Sequence, residues 1–114
     1  MNITDLEKYG IKGSDKGKLI IDLSSDWCGP CKLLSPVLEK IRDEGLIDLI
    51  QINIDENREL GQKLNIYAVP TLLFFKDGKL LDKNIELHGE TLVNNGIMVG
   101  AAGELILKEI IKQM

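Results

Sequence analysis

The sequence predicts an α/β fold, a central mixed β-sheet with helices on both faces. Three observations carry that prediction. A strand pattern at Lys18–Ser24, a helical pattern from about Gly29 to Asp43 and a second strand pattern at Ile47–Ile54 follow one another through short connections. Strand, helix, strand in that order is a right-handed βαβ unit with parallel strands. Further on, Asp77-Gly78 stands between Thr71–Lys76 and Lys79-Leu80-Leu81, a two-residue hairpin signal that reverses the chain and makes the sheet mixed. The chain closes on an amphipathic stretch, Gly103–Met114, with Ile106, Ile110 and Ile111 repeating at helical spacing.

Size and composition narrow the class. The 114 residues suit one domain, residues 1–114, with a core of its own. A hydrophobic content of 44% beside 28% charged residues is that of a soluble globular protein. The net charge of −4 gives no support for nucleic-acid binding. Met1–Glu7 has neither the basic start nor the apolar stretch of a signal peptide, and no apolar run is long enough to span a bilayer. A cytoplasmic location away from membranes is the expectation.

Each element has its own local reasons. Thr4 and Glu7 suggest a capping box for a short first helix through Tyr9, and Gly10–Gly17 reads as a loop. Lys18–Ser24 is apolar on both faces apart from Asp22, so it should lie centrally in the sheet. The helix that follows carries Leu33, Leu34, Val37, Leu38 and Ile41 as its apolar pattern, contains Pro36, which should kink it, and ends at Gly45. Ile50, Ile52 and Ile54 line one face of the next strand. Asp55 or Asn57 should cap a helix that places Leu60 and Leu64 four residues apart. Between the hairpin and the closing helix, Asp82–Val99 holds a second turn signal, Asn95-Gly96, flanked by Thr91-Leu92-Val93 and Ile97-Met98-Val99; it predicts an extended or additional β-hairpin.

The chemistry concentrates in Asp26-Trp27-Cys28-Gly29-Pro30-Cys31. Both cysteines of the chain are here, between a strand and a helix, so Cys28 should sit at the helix's first turn. Unpaired N–H groups and the positive end of the helix dipole favour a thiolate there and lower the thiol's pKa. Cys31, one turn deeper on the same side, is placed to close a small disulfide with Cys28. Pro30 suits an early helical position, and Gly29 leaves the approach to the sulfur open. Two cysteines in a single C-x-x-C leave none for structural bridges, which suits a reducing compartment. Asp22, a carboxylate in an apolar strand, should have a raised pKa and could accept and return a proton.

Trp27-Cys28-Gly29-Pro30-Cys31-Lys32 after a strand bearing an Asp resembles the active site of the thioredoxin family. The likeness is close over Lys18–Gly78, looser over the closing helix, and poor over the first residues and Asp82–Val99. It implies a thioredoxin fold with a shortened N-terminus and an extra or extended hairpin before the last helix. The implied activity is reduction of protein disulfides. Cys28 would be the nucleophile, Cys31 the resolving thiol, the two forming the redox-active disulfide, and Asp22 the proton acceptor for Cys31. Pro70 in Val69-Pro70-Thr71 would be the family's cis-proline beside that disulfide, with Val69, Thr71 and Gly100 contacting extended substrate. Trp27 would pack beside the site and shape its rim, Gly29 and Pro30 would tune the pair, and Gln51 would stand beside Asp22. Disulfide-containing proteins are the implied substrates and thioredoxin reductase the electron donor to a monomer, with no cofactor and no metal bound.

Two positions depart from the family pattern. Gln51 stands where many members carry a lysine; it can hydrogen-bond to Asp22 but supplies no positive charge. Ser24 stands where an aromatic is common and makes the rim less apolar. Two other classes remain open on sequence alone. One is a non-catalytic binding module that uses the extra hairpin as its contact element. The other is a zinc-binding dimer through paired C-x-x-C motifs, although zinc usually takes four Cys or His ligands and the chain adds only His88.

Overall fold

The computed structural model describes residues 1–114. Seven strands and three α-helices follow one another with two short 3₁₀ segments. In chain order they are a 3₁₀ helix at Ile3–Tyr9, β1 Lys18–Ser24, α1 Gly29–Asp43, β2 Asp48–Asn53, a 3₁₀ turn at Ile54–Glu56 and α2 Arg58–Lys63. β3 Thr71–Lys76, β4 Lys79–Leu80, β5 Ile85–Leu87, β6 Glu90–Val93, β7 Ile97–Val99 and α3 Glu104–Lys112 complete the chain. The main sheet runs β2-β1-β3-β4, with β7 also paired to β3. β1 is parallel to β2 and antiparallel to β3, so the sheet is mixed as the sequence predicts.

β1 is central and buried along its middle five residues. Side chains alternate across a strand. Leu19, Ile21 and Leu23 therefore join the core on the face covered by the first 3₁₀ helix and α2, while Ile20 joins the core on the face covered by α1 and α3. Asp22 lies in the same row as Ile20, on the α1 face, and is fully buried. α1 starts and ends where the sequence places it, continues through Pro36, and stops at Gly45 in the left-handed conformation; Leu34, Leu38 and Ile41 are buried, but Leu33, expected on the apolar face, points to solvent. Lys18 donates to the Ile111 carbonyl at 2.6 Å and Lys76 to the Met114 carbonyl at 3.2 Å. Both cations sit at the C-terminal end of α3, where the helix dipole favours them; the Ile111 carbonyl also accepts from the Met114 N–H at 3.3 Å.

Several local expectations need correction. The first helix is capped one pair earlier than Thr4 and Glu7: the Asn2 N–H donates to the Asp5 carboxylate at 2.9 Å. Before it, Asn2 makes a single antiparallel bridge to Lys79 at the β4 edge. In the second crossover Asn53 caps the 3₁₀ turn, accepting from the Asp55 N–H at 2.8 Å; Asn57 gives α2 no side-chain cap, its amide donating back to the Asn53 carbonyl at 2.9 Å, and Leu64 falls just beyond the last turn of α2. Leu60 is buried as the spacing predicts.

The extra region is a hairpin, but not the pairing the Asn95-Gly96 signal suggests. Thr91–Val93 pairs with β5 in a small separate sheet turned by His88-Gly89, whereas Ile97–Val99 rejoins the main sheet beside β3. The Asn95-Gly96 turn is present, with both residues at positive φ, and closes one antiparallel bridge in which Asn94 and Ile97 exchange N–H to carbonyl bonds of 2.8 and 3.0 Å, but the pairing does not extend back to Thr91–Val93. The excursion leaves and re-enters at one point. Leu81 N–H donates to the Phe74 carbonyl at 2.9 Å, and Phe74 N–H donates to the Gly96 carbonyl at 2.8 Å. β4 and β7 are thus two halves of one edge strand, separated by residues 82–95. Ile85 and Val93 bury their side chains in the α1–α3 core, so the inserted hairpin is packed and not a loose flap.

Candidate active site

The site forms where β1 hands over to α1. Cys28 is the N-cap residue of α1, with extended backbone, and its sulfur accepts from the Cys31 N–H at 3.1 Å. That bond satisfies one of the orphan donors of the first turn with a sulfur instead of the usual oxygen. Cys28 and Cys31 are joined as a disulfide, Cα atoms 5.2 Å apart. Cys28 is 8% exposed and Cys31 3%, so both residues are buried and the N-terminal one is slightly the more open. Gly29 and Pro30 are exposed, and nothing lies within 4 Å of where a side chain on Gly29 would start.

The loop from Ser25 to Trp27 is anchored from the second crossover. Ser25 Oγ donates to the Asp55 carboxylate at 2.6 Å and accepts from the Trp27 N–H at 3.4 Å, while the Ser25 carbonyl accepts from the Cys28 N–H at 3.2 Å. Sequence reasoning missed this anchor. Ser25 carries no motif, and Asp55 reads only as a helix cap. Trp27 is also corrected: at 92% exposure it packs neither in the core nor against the site, but stands free in solvent.

Asp22 is the chemical counterpart on the sheet. Its register partners are Gln51 on β2 and Leu72 on β3. Burial pushes its carboxyl up from the ordinary 3.8 to about 6, and the Gln51 side chain pulls part of that rise back. Even so, neither Asp22 oxygen has a partner at hydrogen-bonding geometry, so the bond that Gln51 could make is not formed. A buried carboxyl without a cation or a donor is favoured in its neutral form.

The predicted substrate-side residues converge as well. The Val69–Pro70 peptide is cis. Gly100, at positive φ, donates its N–H to the Pro70 carbonyl at 2.8 Å, which brings the end of β7 against the Val69–Thr71 turn. Thr71 is buried, and its hydroxyl donates to the Ala68 carbonyl at 2.7 Å, bracing the same turn. Ser24, with Ser25, Ser35, Asp26 and Lys32, borders a polar cleft of about 370 Å³ against Cys31, as a small residue at position 24 implies. The larger hollows, about 570 Å³ beside Tyr9 and about 620 Å³ along α2, hold neither cysteine. His88 turns the inserted hairpin and is exposed.

A mixed sheet flanked by helices, with a disulfide closing on the N-cap of the helix after the central strand, defines a domain built for thiol–disulfide chemistry. The family model named Thioredoxin matches residues 6–97. Thioredoxin from Staphylococcus aureus is 39% identical over 71 residues, which is 60% of this chain and 68% of that protein. The solved structure of a mutant thioredoxin from Halobacterium salinarum superposes with a TM-score of 0.69 at 31% identity, covering 96% of this chain and 82% of that one. Thioredoxin from Malassezia sympodialis gives 0.67 at 32%, covering 99% and 86%. The chain belongs to the thioredoxin family, has the thioredoxin fold, and with its cysteine pair in place is a thiol–disulfide oxidoreductase. No helix is long and apolar enough to cross a membrane.

Proposed function

We propose that the protein works as a disulfide reductant, taking protein disulfides as substrates through its Cys28-Gly29-Pro30-Cys31 dithiol. The observation that carries this reading is the Cys31 N–H held 3.1 Å from the Cys28 sulfur at the head of α1. A donor aimed at that sulfur, with the helix dipole behind it, stabilises negative charge there. The Cys28 thiolate attacks one sulfur of the substrate disulfide, forming a mixed disulfide and expelling the other substrate sulfur as thiolate. Cys31 then loses its proton to Asp22 and attacks the Cys28 sulfur. The second substrate thiolate leaves, and two electrons have passed from the protein to the substrate.

Around this exchange, the backbone of Val69, Pro70 and Thr71, with Gly100 beside it, receives the substrate in extended form. Gly29 and Pro30 set the start of α1, Trp27 offers an exposed aromatic surface at the rim, and Gln51 leaves Asp22 without a positive neighbour. The chain acts as one monomeric domain in the cytoplasm, and thioredoxin reductase returns the disulfide to the dithiol.

The test is to trap the intermediate. With Cys31→Ser and a disulfide-bonded protein substrate, a stable mixed disulfide on Cys28 is the expected product, and none should form with Cys28→Ser. An adduct on Cys31 in the Cys28→Ser protein, with none on Cys28, would reverse the assignment. Partner binding unchanged in the double Cys→Ser protein, with no adduct in either single variant, would instead mark a non-catalytic binding module.

A further inference from the structure

The polar cleft beside Cys31 is a way to the disulfide that does not pass Cys28. Its lining is Ser24, Ser25, Asp26, Cys31, Lys32 and Ser35, and Cys28 is not part of it. Its volume of about 370 Å³ is at the low end of small-molecule sites. Several of its polar groups are uncommitted. The Lys32 ammonium and the Asp26 carboxylate are exposed and belong to none of the molecule's ion pairs. Ser24 and Ser25 donate to the Ile52 carbonyl and to Asp55, which leaves Ser35 as the free hydroxyl. One cation, one anion and a hydroxyl complement a small ligand that carries one charge of each sign. Ser24 keeps the cleft open, since a large side chain at this position would take up its volume.

The chemistry of the disulfide says what such a ligand does there. A thiolate bonds to one sulfur and expels the other, and the sulfur with the more stable thiolate leaves faster. Cys28 is that leaving group, because it caps α1 and accepts the Cys31 N–H at 3.1 Å. Both cysteines are buried, so access decides which sulfur a thiol reaches, and the cleft gives access to Cys31. We propose that the cleft is an entry port for a low-molecular-weight amino-acid thiol, bearing one ammonium and one carboxylate, that reduces the disulfide by attack on Cys31. The inference rests on the reductase reading of the pair and adds a second class of electron donor. The first thiolate bonds to the Cys31 sulfur, the Cys28–Cys31 bond breaks, and Cys28 departs as thiolate. A second small thiol attacks the sulfur of the bound molecule, frees Cys31, and leaves with it as the small disulfide. Two electrons have entered the protein; one thiol proton returns to Cys31 and the other goes to solvent.

The experiment follows reduction of the oxidised protein by cysteine, which carries both charges, and by 2-mercaptoethanol, which carries neither. Each rate is divided by that thiol's rate with a small open-chain disulfide. The normalised ratio should favour cysteine about tenfold, the gain that two exposed charge pairs supply together. Lys32→Glu, at the surface, and Ser24→Trp, which fills the cleft, should each bring the ratio close to one. The ratio is taken on one protein, so a general change in the reactivity of the pair does not move it. In the Cys28→Ser protein, cystine should add a cysteinyl group to Cys31, where no protein disulfide reacts. Equal normalised rates in the parent, a preference that survives both variants, or a Cys31 inert to cystine would each overturn the port. The reductase reading would stand in those cases, because it is read from the Cys28 adduct with a protein disulfide. A disulfide that not even dithiothreitol reduces would end both.

Discussion

Asp22 and Gln51 are direct register partners on the parallel strands β1 and β2, yet no hydrogen bond joins their side chains. The carboxyl is fully buried and pushed up to about 6 by that burial, with only the Gln51 side chain offsetting part of the rise and no cation beside it. At neutral pH the folded protein must ionise a group that the fold disfavours as an anion.

That cost has a pH signature. Between the unfolded value of 3.8 and the folded value of about 6, the native state holds a proton that the unfolded chain has lost, so stability falls as pH rises through this window. Above pH 6 the full penalty is present, about 3 kcal/mol for a rise of this size. Asp22→Asn should therefore be more stable than the parent by up to that amount at pH 7.5, and by little at pH 4. Urea unfolding at both pH values checks this, and a constant difference between the two proteins would contradict it.

Gln51→Lys would place a cation directly opposite the carboxyl. A carboxyl-carbon NMR titration should then find Asp22 shifted down towards the ordinary carboxylate range. An Asp22 that titrates near 6 in both proteins would show that position 51 does not govern it.

If Asp22 takes the proton from Cys31, the same Asn variant should slow the second half of the exchange. Decay of a pre-formed mixed disulfide on Cys28 should slow by about 10²–10⁴-fold, the usual range for losing a positioned general base. Attack of Cys28 on substrate should change far less. Equal slowing of both steps would assign Asp22 a purely structural part.

The Ser25–Asp55 bond ties the cysteine loop to the turn after β2. Ser25→Ala should lower the alkylation rate of reduced Cys28 at pH 7 a few-fold, at a stability cost of at most about 1 kcal/mol for so exposed a bond. Ser25→Thr should restore it. Alkylation unaffected by either change would separate the anchor from Cys28 reactivity.

Gly96 has no room for a side chain. Its φ is 82°, and a Cβ would lie 2.5 Å from the Leu81 carbonyl oxygen and 2.9 Å from Leu80 Cγ, where the two ends of the excursion meet on Phe74. Gly96→Ala should cost about 3 kcal/mol or more, combining left-handed strain with the clash. Gly89→Ala, at φ 78° with open space around it, should cost about 1 kcal/mol. Equal losses in chemical denaturation would mean that the excursion can re-seat its ends.

Much of this was legible in the residues. The uninterrupted apolar run of β1, the cysteines at its exit and the Asp77-Gly78 turn are local signals, and the structure places each where the pattern puts it. What was not legible depends on distant partners. Thr91–Val93 pairs with β5 and not with β7 because Ile85 and Val93 find a core between α1 and α3, which no turn signal encodes. Trp27 reads as a packing residue by its size, but nothing folds over the loop to cover it. Ser25 finds Asp55 only because β1 and β2 are parallel neighbours whose exits lie side by side.

The reduction potential of the Cys28–Cys31 couple, measured by equilibration with glutathione or dithiothreitol buffers, tests the central claim most directly. A reductant must sit at or below the cytosolic glutathione poise, about −220 to −320 mV depending on how the poise is measured. A value at the lower end of that range or beneath it is the expected result. A value well above about −200 mV would make the protein an oxidant or isomerase of disulfides and would contradict the reductase account.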